Sequence, residues 1–470
     1  MTSLMSTNFF TEFFVGEKVI ENEWKSLPKF INYPHVRTLL NYVKDKPVVC
    51  VAAGPSLMKN IDFLHSIRDE VFIISVASCL KPLLAKGIKP DFVTILDMQG
   101  EVIHYLEGVD TADLNIAIEM SCYWGVIEQI PAHYFISPSA MLSRTFFQTI
   151  LEKMGIDVSG DIFIKAGFTV AFMSIFLAQK MGASRVILLG QDLAYTGAKT
   201  HIDGATFDAT LSIVEENGVK YFKHPNPKAD VIEYDPVIEV DGFYGEKVYT
   251  NSGFEVCRIL LEKMVSERKI THFTNCTEGG VYLQGLEHLS LKEAYEKYIK
   301  DNPIDRSTLQ RIDFHYDFEH YPERRKDLVE LREYYQKVKD LANKGVDAFK
   351  LVKRLTEHER NGHKLTALEE AQMQTNIHTV NETMNLLTKD YALELEHISK
   401  TSVASHVLFK MMDLINTQDY KSEDVEIDQR NKAALFLSSV DEGMGSFAER
   451  MDNLIATLDD EYEKRESETC

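Results

Sequence analysis

Positive charge is in short supply: 51 Lys and Arg stand against 72 Asp and Glu, for a net charge of −21 over 470 residues. So acidic a chain is poorly suited to nucleic acid or an anionic membrane, although local amides and a few cations can still hold one phosphate. Long apolar runs are also missing. The longest, residues 170–178, is far below the roughly 20 residues that span a bilayer. Residues 1–14 lack a basic segment followed by an apolar one, so no signal peptide is expected. Cysteine is sparse, with residues at 50, 79, 122, 257, 276 and 470 and no CxxC pair. Cys50 and Cys79 sit in apolar runs, the usage of a reduced compartment in which buried thiols act as small hydrophobes, and a zinc site is not expected. These absences together predict a cytoplasmic protein.

A sizeable core is present: 44% of residues are hydrophobic and 26% charged. Residues 1–45 read as a short helical lead-in. From there the texture alternates. Val48–Ala53 is a continuous apolar run, as expected of a strand buried on both faces of a parallel sheet. Leu57–Ile67 then fits a helix. Val71–Val76, Phe92–Leu96, Val186–Leu189 and Ile270–Phe273 read as further strands, with His133–Ile136 and Ile116–Ile118 weaker. Cys79–Lys86, Phe168–Met181, Ser252–Ser266 and Leu291–Ile299 read as helices. Strand and helix alternating at this spacing predict an α/β domain over 46–299, a Rossmann-like doubly wound parallel sheet. Residues 193–250 lose periodicity and read as long loops with a short hairpin, a common setting for a substrate lid. Beyond 300, Pro and Gly almost vanish. Leu328, Leu331, Tyr335 and Val338 recur at spacings of three and four, so an all-α bundle is expected over 300–470, serving acceptor docking or oligomerisation. The tail, Asp459–Glu468, is charged and expected to fray.

Five motifs could carry chemistry, and each has a purely structural alternative. Gly54-Pro55-Ser56 follows the first strand: Gly allows a sharp turn, Pro at the first helical position loses no hydrogen bond, and the Ser hydroxyl with free helix N–H groups makes an anion site. Any strand-to-helix turn could use the same residues. Ala166-Gly167-Phe168-Thr169 opens the long helix beside Lys165, a second such site or a plain cap. Gly190-Gln191-Asp192 ends an apolar strand, and Asp97 ends another, where ligands of open α/β sheets bind. In Lys199-Thr200-His201-Ile202-Asp203-Gly204, His201 suits proton transfer near neutral pH, with Asp203 orienting it or acting itself; a satisfied loop His is the alternative. Asn275-Cys276-Thr277-Glu278-Gly279-Gly280 permits close backbone approach at Gly279, with Glu278 placed to meet a sugar or ribose.

Taken in order, these motifs resemble the central domain of the motility-associated factors, bacterial glycosyltransferases that place a nonulosonic acid on Ser or Thr of flagellin. The resemblance rests on Gly54-Pro55-Ser56-Leu57, on Gly87-Ile88-Lys89-Pro90-Asp91-Phe92 followed by Asp97, on Ala166-Gly167 through Gly190-Gln191-Asp192-Leu193-Ala194 to Thr200-His201 and Gly204, and on Asn275–Gly280. It covers residues 46–295. The run Gly167–Asp192 is also similar to bacterial sialyltransferases that use CMP-activated sugars, which implies that Gly54, Ser56, Gly167 and Thr169 meet the nucleotide and that Asp192 opens the active-site loop. That comparison expects an Asn after the second strand, where Ser78-Cys79 stands, and its catalytic His has no counterpart in motif. About 45 residues precede the first strand, fewer than the sizeable N-terminal domain many motility-associated factors carry.

The resemblance implies transfer of a pseudaminic or legionaminic acid from a CMP-sugar to flagellin. Asp192, His201 or Asp203 would be the base, and Gly54, Pro55, Ser56, Asp97, Gly167, Phe168, Thr169, Gly190, Gln191, Glu278 and Gly279 would line the nucleotide and sugar. No tightly bound cofactor is expected. No Asp-x-Asp pair occurs in the sequence, and a CMP leaving group carries a single phosphate that amides, hydroxyls and one cation can hold, so a divalent metal is not expected either. Two alternatives stand beside this: an ATP-dependent 6-hydroxymethylpterin pyrophosphokinase, since a similar domain occurs in archaeal enzymes of that type, and a non-catalytic flagellin-binding module.

Overall fold

The computed structural model describes residues 18–138, 144–157, 169–207, 210–226, 231–267, 272–309, 312–390 and 425–469. In chain order, α1 covers 18–26. It is followed by β1 (Pro47–Val51), α2 (Ile61–Ser66), β2 (Phe72–Val76), α3 (Leu80–Ala85), β3 (Phe92–Ile95), β4 (Asn115–Glu119), α4 (Gly125–Gln129) and β5 (His133–Ser137). Next come α5 (Arg144–Lys153), α6 (Val170–Lys180), β6 (Arg185–Leu189), β7 (Ser212–Glu216), β8 (Val219–Asn226), β9 (Val231–Pro236), β10 (Ile238–Asp241) and β11 (Lys247–Thr250). The chain ends with α7 (Ser252–Ser266), β12 (Phe273–Asn275), β13 (Glu287–His288), α8 (Leu291–Ala294), α9 (Tyr321–Arg360), α10 (Ala367–Asp390) and α11 (Val425–Thr469). Two compact units result: an α/β unit of 29–140 and 160–315, and a helical unit of 1–28, 141–159 and 316–470.

The α/β unit is built on one parallel sheet of eight strands in the order β13-β12-β6-β1-β2-β3-β4-β5. Its central strands read as unbroken apolar runs because both faces are covered. In β1, Val48 and Cys50 enter the core on one face, while Val49 and Val51 enter the core on the other. The same alternation divides Val186 and Leu188 from Ile187 and Leu189 in β6. Residues of α6 and α7 fill the first core; residues of α2, α3 and α8 fill the second. Burying such side chains is worth roughly 1.5–3 kcal/mol each and is the main force fixing this layering. The chain winds outward from β1 to β5 and then returns to the opposite side of β1 as β6. A topological switch point therefore lies between β1 and β6, where doubly wound sheets open a crevice beyond the strands' carboxyl ends.

The stretch 193–250 departs from the expected loops. It holds an antiparallel three-stranded sheet, β7-β8-β9, and the hairpin β10-β11. Phe222 is fully buried against Tyr195 and Leu211 in a small core of its own. Their strands are short, half-exposed and interrupted by polar residues, so the alternation that signals a strand is diluted. α8 also ends sooner than expected, passing into a π-helical turn over Tyr295–Ile299. Of the expected strand Ile270–Phe273, residues 270 and 271 lie outside the described residues, and β12 begins at Phe273.

In the helical unit, α9 and α11 run antiparallel. Arg325 meets Asp459 and Arg332 meets Asp452, each through two nitrogen–oxygen contacts of 2.6–3.0 Å. The buried residues of α9, including Leu328, Tyr335, Val338, Ala342 and Gly345, follow spacings of three, four and seven, the seam of a coiled coil. Trp24 of α1 stacks edge-on to Phe147 of α5 and tilts against Phe447 of α11, with centroids 5.4 and 5.7 Å apart. Two expectations are corrected. The described residues of this stretch, 300–309 and 312–320, are mostly irregular, with a 3-10 turn at Arg306–Thr308. The charged tail does not fray: α11 continues to Thr469, because Asp459 is held by Arg325 and by the Tyr321 hydroxyl at 2.8 Å. Among the described residues no helix is long and apolar enough to cross a membrane.

The seam, rather than its ion pairs, carries this unit. Leu458, fully buried, should lose about 2–5 kcal/mol of unfolding free energy on mutation to Ala. Arg332→Ala at the exposed pair with Asp452 should cost less than about 1 kcal/mol. Urea unfolding followed by helical circular dichroism measures both.

Candidate functional site

At the switch point, the turn after β1 and the loop after β6 are joined by one carboxylate. Asp192 is 3% exposed. It accepts the Ser56 amide N–H at 3.2 Å, the Ser56 hydroxyl, and the Thr196 hydroxyl at 2.6 Å. Burial pushes its carboxyl above the ordinary value, against the pull of these hydrogen bonds and of the nearby Lys59 ammonium. The donors expected of Gly54-Pro55-Ser56 are taken by the protein's own carboxylate, so Ser56 offers neither its N–H nor its O–H to a ligand in this state.

The glycines follow from this packing. A Cβ on Gly54 would overlap the Asp192 carboxylate and the Gly190 carbonyl, and the Gly54 N–H donates to that carbonyl at 2.9 Å. Gly190 has φ of +62°, and a Cβ there would overlap the Ala52 carbonyl. Gly280, with φ of +69°, leaves room for the Asp192 backbone, whose carbonyl accepts the Val281 N–H at 2.8 Å. A Cβ on Gly279 would stand 2.8 Å from Ser56 Cβ. Two non-glycine rim residues, Leu193 and Glu278, take positive φ of 45° and 56°. Such strain gathers where a site is over-determined by its surroundings.

The structure brings Gly54, Pro55, Ser56, Gly190, Gln191, Asp192, Gly279 and Glu278 together around this crevice. The Gln191 N–H donates to the Thr277 hydroxyl at 3.2 Å. The Glu278 carboxylate accepts the Leu291 N–H at the start of α8 at 3.2 Å and the Tyr244 hydroxyl at 3.4 Å. Its expected place on a sugar is therefore taken, in this state, by a helix end. The loop carrying His201 is fixed to the end of β1 by Ile202 N–H to Ala53 O at 2.8 Å, so His201 flanks the crevice. Asp203 does not face inward as an orienting partner: its exposed carboxylate pairs with Lys199 at 2.5 Å.

Two expected residues stand at other points of the rim. Asp97 lies beyond β3, two strand spacings or roughly 10 Å from β1. Its side chain is exposed, with no side-chain hydrogen-bond partner among the described residues, and desolvation by the surrounding protein raises its pKa. Tyr105 beside it is pushed up to about 12 by burial and by Asp97. Thr169 takes the N-cap position of α6 with extended backbone angles but makes no capping bond, and its enclosed hydroxyl has no partner. The Ser174 hydroxyl, further along α6, meets Thr94 of β3 at 2.7 Å, and its carbonyl accepts the Cys50 thiol of β1. α6 therefore packs on β1 and β3, and in its first turn the Phe172 N–H bonds the Thr169 carbonyl at 3.1 Å. Gly167 and Phe168, with Lys165 and Ala166, lie outside the described residues.

Sequence reasoning missed Thr196, Lys59 and Asn60, and gave Thr277 no role within its motif. Lys59 Nζ donates to the Glu278 carbonyl at 2.6 Å, and Asn60 Nδ2 donates to the Cys276 carbonyl at 3.1 Å. Their one sequence signal is position, directly after Gly54-Pro55-Ser56. Among the described residues, the cluster with metal-ligand spacing is Asp317, Glu319 and His320, exposed and already paired through Arg324.

With this geometry in view, the comparisons with known proteins can be placed. A family model described as 6-hydroxymethylpterin diphosphokinase MptE-like matches residues 21–198, the stretch containing β1 to β6, Gly54-Pro55-Ser56 and Asp192. The chain is 23% identical over 150 residues to a 6-hydroxymethyl-7,8-dihydropterin pyrophosphokinase of Methanothermobacter thermautotrophicus, covering 32% of this chain and 59% of that one. It is 27% identical over 109 residues to an uncharacterized protein of Treponema pallidum, covering 23% of this chain and 19% of that one. A solved Maf glycosyltransferase from Magnetospirillum magneticum AMB-1 aligns with 93% of this chain and 60% of its own, at 13% identity and a TM-score of 0.45. At that score the likeness carries no argument about chemistry. The chain thus spans under two thirds of the length of each.

The buried carboxylate makes a pH signature. A folded Asp192 with a raised pKa holds its proton at higher pH than an unfolded Asp does. From the ordinary value of 3.8 up to the folded value, wild-type stability therefore falls as pH rises. Asp192→Asn has no such titration. The stability of wild type minus that of D192N should shrink as pH rises through this window in urea unfolding, and a difference that grows would contradict the assignment.

Proposed function

We propose that this chain is a glycosyltransferase that moves a nonulosonic acid, of the pseudaminic or legionaminic type, from a CMP-sugar to Ser or Thr hydroxyls of flagellin in the cytoplasm. The observation that carries the reading is the glycine-walled crevice at the switch point, since its Gly54, Gly190 and Asp192 are the residues on which the resemblance to motility-associated factors and sialyltransferases rests. Neither a tightly bound cofactor nor a divalent metal is required.

In this reading the nucleotide lies across the carboxyl ends of β1, β6 and β12, and the departing phosphate is met by N–H groups at the start of α6. The bond from the sugar's anomeric carbon to the phosphate oxygen breaks through an oxocarbenium-like state. The acceptor oxygen bonds to that carbon, and its proton passes to a base. Asp192 keeps the crevice closed rather than taking the proton, because both its oxygens already accept hydrogen bonds. Asp97 suits the base: an exposed carboxyl at a strand end, without a side-chain partner among the described residues, its pKa raised by desolvation. His201 flanks the acceptor side.

A second reading, an ATP-dependent 6-hydroxymethylpterin pyrophosphokinase, is favoured by the match over residues 21–198 and by the archaeal relative. Thermal shift separates the two. A ligand at 100 times its Kd stabilises the native state by about 2.7 kcal/mol; CMP should do so without added metal, whereas a response confined to ATP with Mg²⁺ reverses the ranking.

The transfer itself is read by intact mass of flagellin incubated with CMP-nonulosonic acid and this protein, where one sugar is added per modified site. Asp97→Asn should lower the rate by about 10²–10⁴-fold while the CMP-induced shift persists. Full activity in D97N would remove Asp97 from that role.

A further inference from the structure

The crevice contains one feature the proposed mechanism leaves unused. The Lys59 ammonium, like those of Lys46, Lys81 and Lys220, donates to a neutral acceptor. That acceptor is the Glu278 carbonyl at 2.6 Å, and the ammonium lies 5.6 Å from the centre of the Tyr244 ring. It makes no ion pair with any described carboxylate. Its position is nonetheless fixed. The 3-10 turn Pro55–Lys59 carries it, Asn60 beside it anchors that turn to the Cys276 carbonyl, and its Nζ lies 3.7 Å from where a Cβ on Gly279 would stand. It is close enough to Asp192 to pull on that carboxyl's titration. Asp192 cannot serve as its full counter-ion, because both carboxylate oxygens are already taken by Ser56 and Thr196. Tyr244, 65% exposed, leaves a large aromatic surface uncovered beside the ammonium.

We propose that Lys59 is the cation that binds the phosphate of a nucleotide in this crevice, with the exposed Tyr244 ring flanking the same ligand. An ammonium anchored by one hydrogen bond to a backbone carbonyl, with donor capacity left over, is suited to one phosphate oxyanion. The proposal rests on the reading that the crevice takes a nucleotide, but not on which nucleotide it is.

The test compares ligands that differ only in phosphate. Kd values for CMP and for cytidine are measured by calorimetry on the full-length protein, as wild type, Lys59→Gln and Lys59→Arg. A charge-assisted hydrogen bond corresponds to about 10- to 100-fold in affinity. K59Q should weaken CMP binding by about that factor and leave cytidine unchanged, and K59R should recover most of the loss. Raised salt should weaken CMP in wild type and have little effect in K59Q. A K59Q protein that keeps the wild-type ratio of CMP to cytidine overturns the proposal, as does one that loses both ligands equally, which marks a structural role for the lysine. If wild type binds ATP and not CMP, the transferase reading falls, and the ATP-to-adenosine ratio judges Lys59 by the same criteria. If wild type binds neither nucleotide, both the proposal and the reading fall.

Discussion

The carboxylate of Asp192 is the joint on which the α/β unit depends. It sits at the switch point, where the chain leaves β1 in one direction and β6 in the other. The two strands pair over their whole length, and their ends are joined by Ala52 N–H to Leu189 O and Gly54 N–H to Gly190 O. Beyond that ladder, the Ser56 amide and hydroxyl reach Asp192 from one side and the Thr196 hydroxyl from the other. Burying a charge without such partners costs several kcal/mol, so all three donors are needed for the ionised group to remain there. The glycines at 54, 190 and 280 belong to the same constraint: each lies where a Cβ would collide with Asp192 or with a backbone carbonyl that must pass close by.

That joint sets the geometry of the site. The Ser56 turn already holds the Asp192 carboxylate, so the proposed phosphate contacts are assigned to the start of α6 and to the Lys59 ammonium. Both Asp192 oxygens accept hydrogen bonds, whereas the exposed Asp97 carboxyl makes none among the described residues, and for that reason the proposed mechanism assigns proton transfer to Asp97.

The sheet was legible in the sequence because strands buried on both faces read as unbroken apolar runs; β1, β2 and β6 fall within a residue or two of where those runs place them. α7 was legible to the residue, its Asn251 cap accepting the Phe254 N–H at 2.9 Å. The sheet β7-β8-β9 was not, because its strands bury little and alternate weakly. The Asp459–Glu468 tail was misread for a related reason: composition alone suggests fraying, but the holding partner, Arg325, lies more than a hundred residues away. At the site, Gly54, Ser56, Gly190 and Asp192 were visible as motif residues, yet the hydrogen bond from Ser56 to Asp192 was not, since it joins residues 136 apart. Lys59 and Thr196 carried no motif, and only their place beside one carboxylate distinguishes them.

The central claim is that one mononucleotide lies across the carboxyl ends of β1, β6 and β12, over a crevice that Asp192 holds shut from below. A crystal structure of the protein with CMP tests it most directly. The account predicts the phosphate within hydrogen-bond reach of Lys59 or the first turn of α6, with the Ser56–Asp192 contact intact. Cytidine monophosphate bound at another place on the unit, or a phosphate that displaces Asp192 from Ser56, would contradict it.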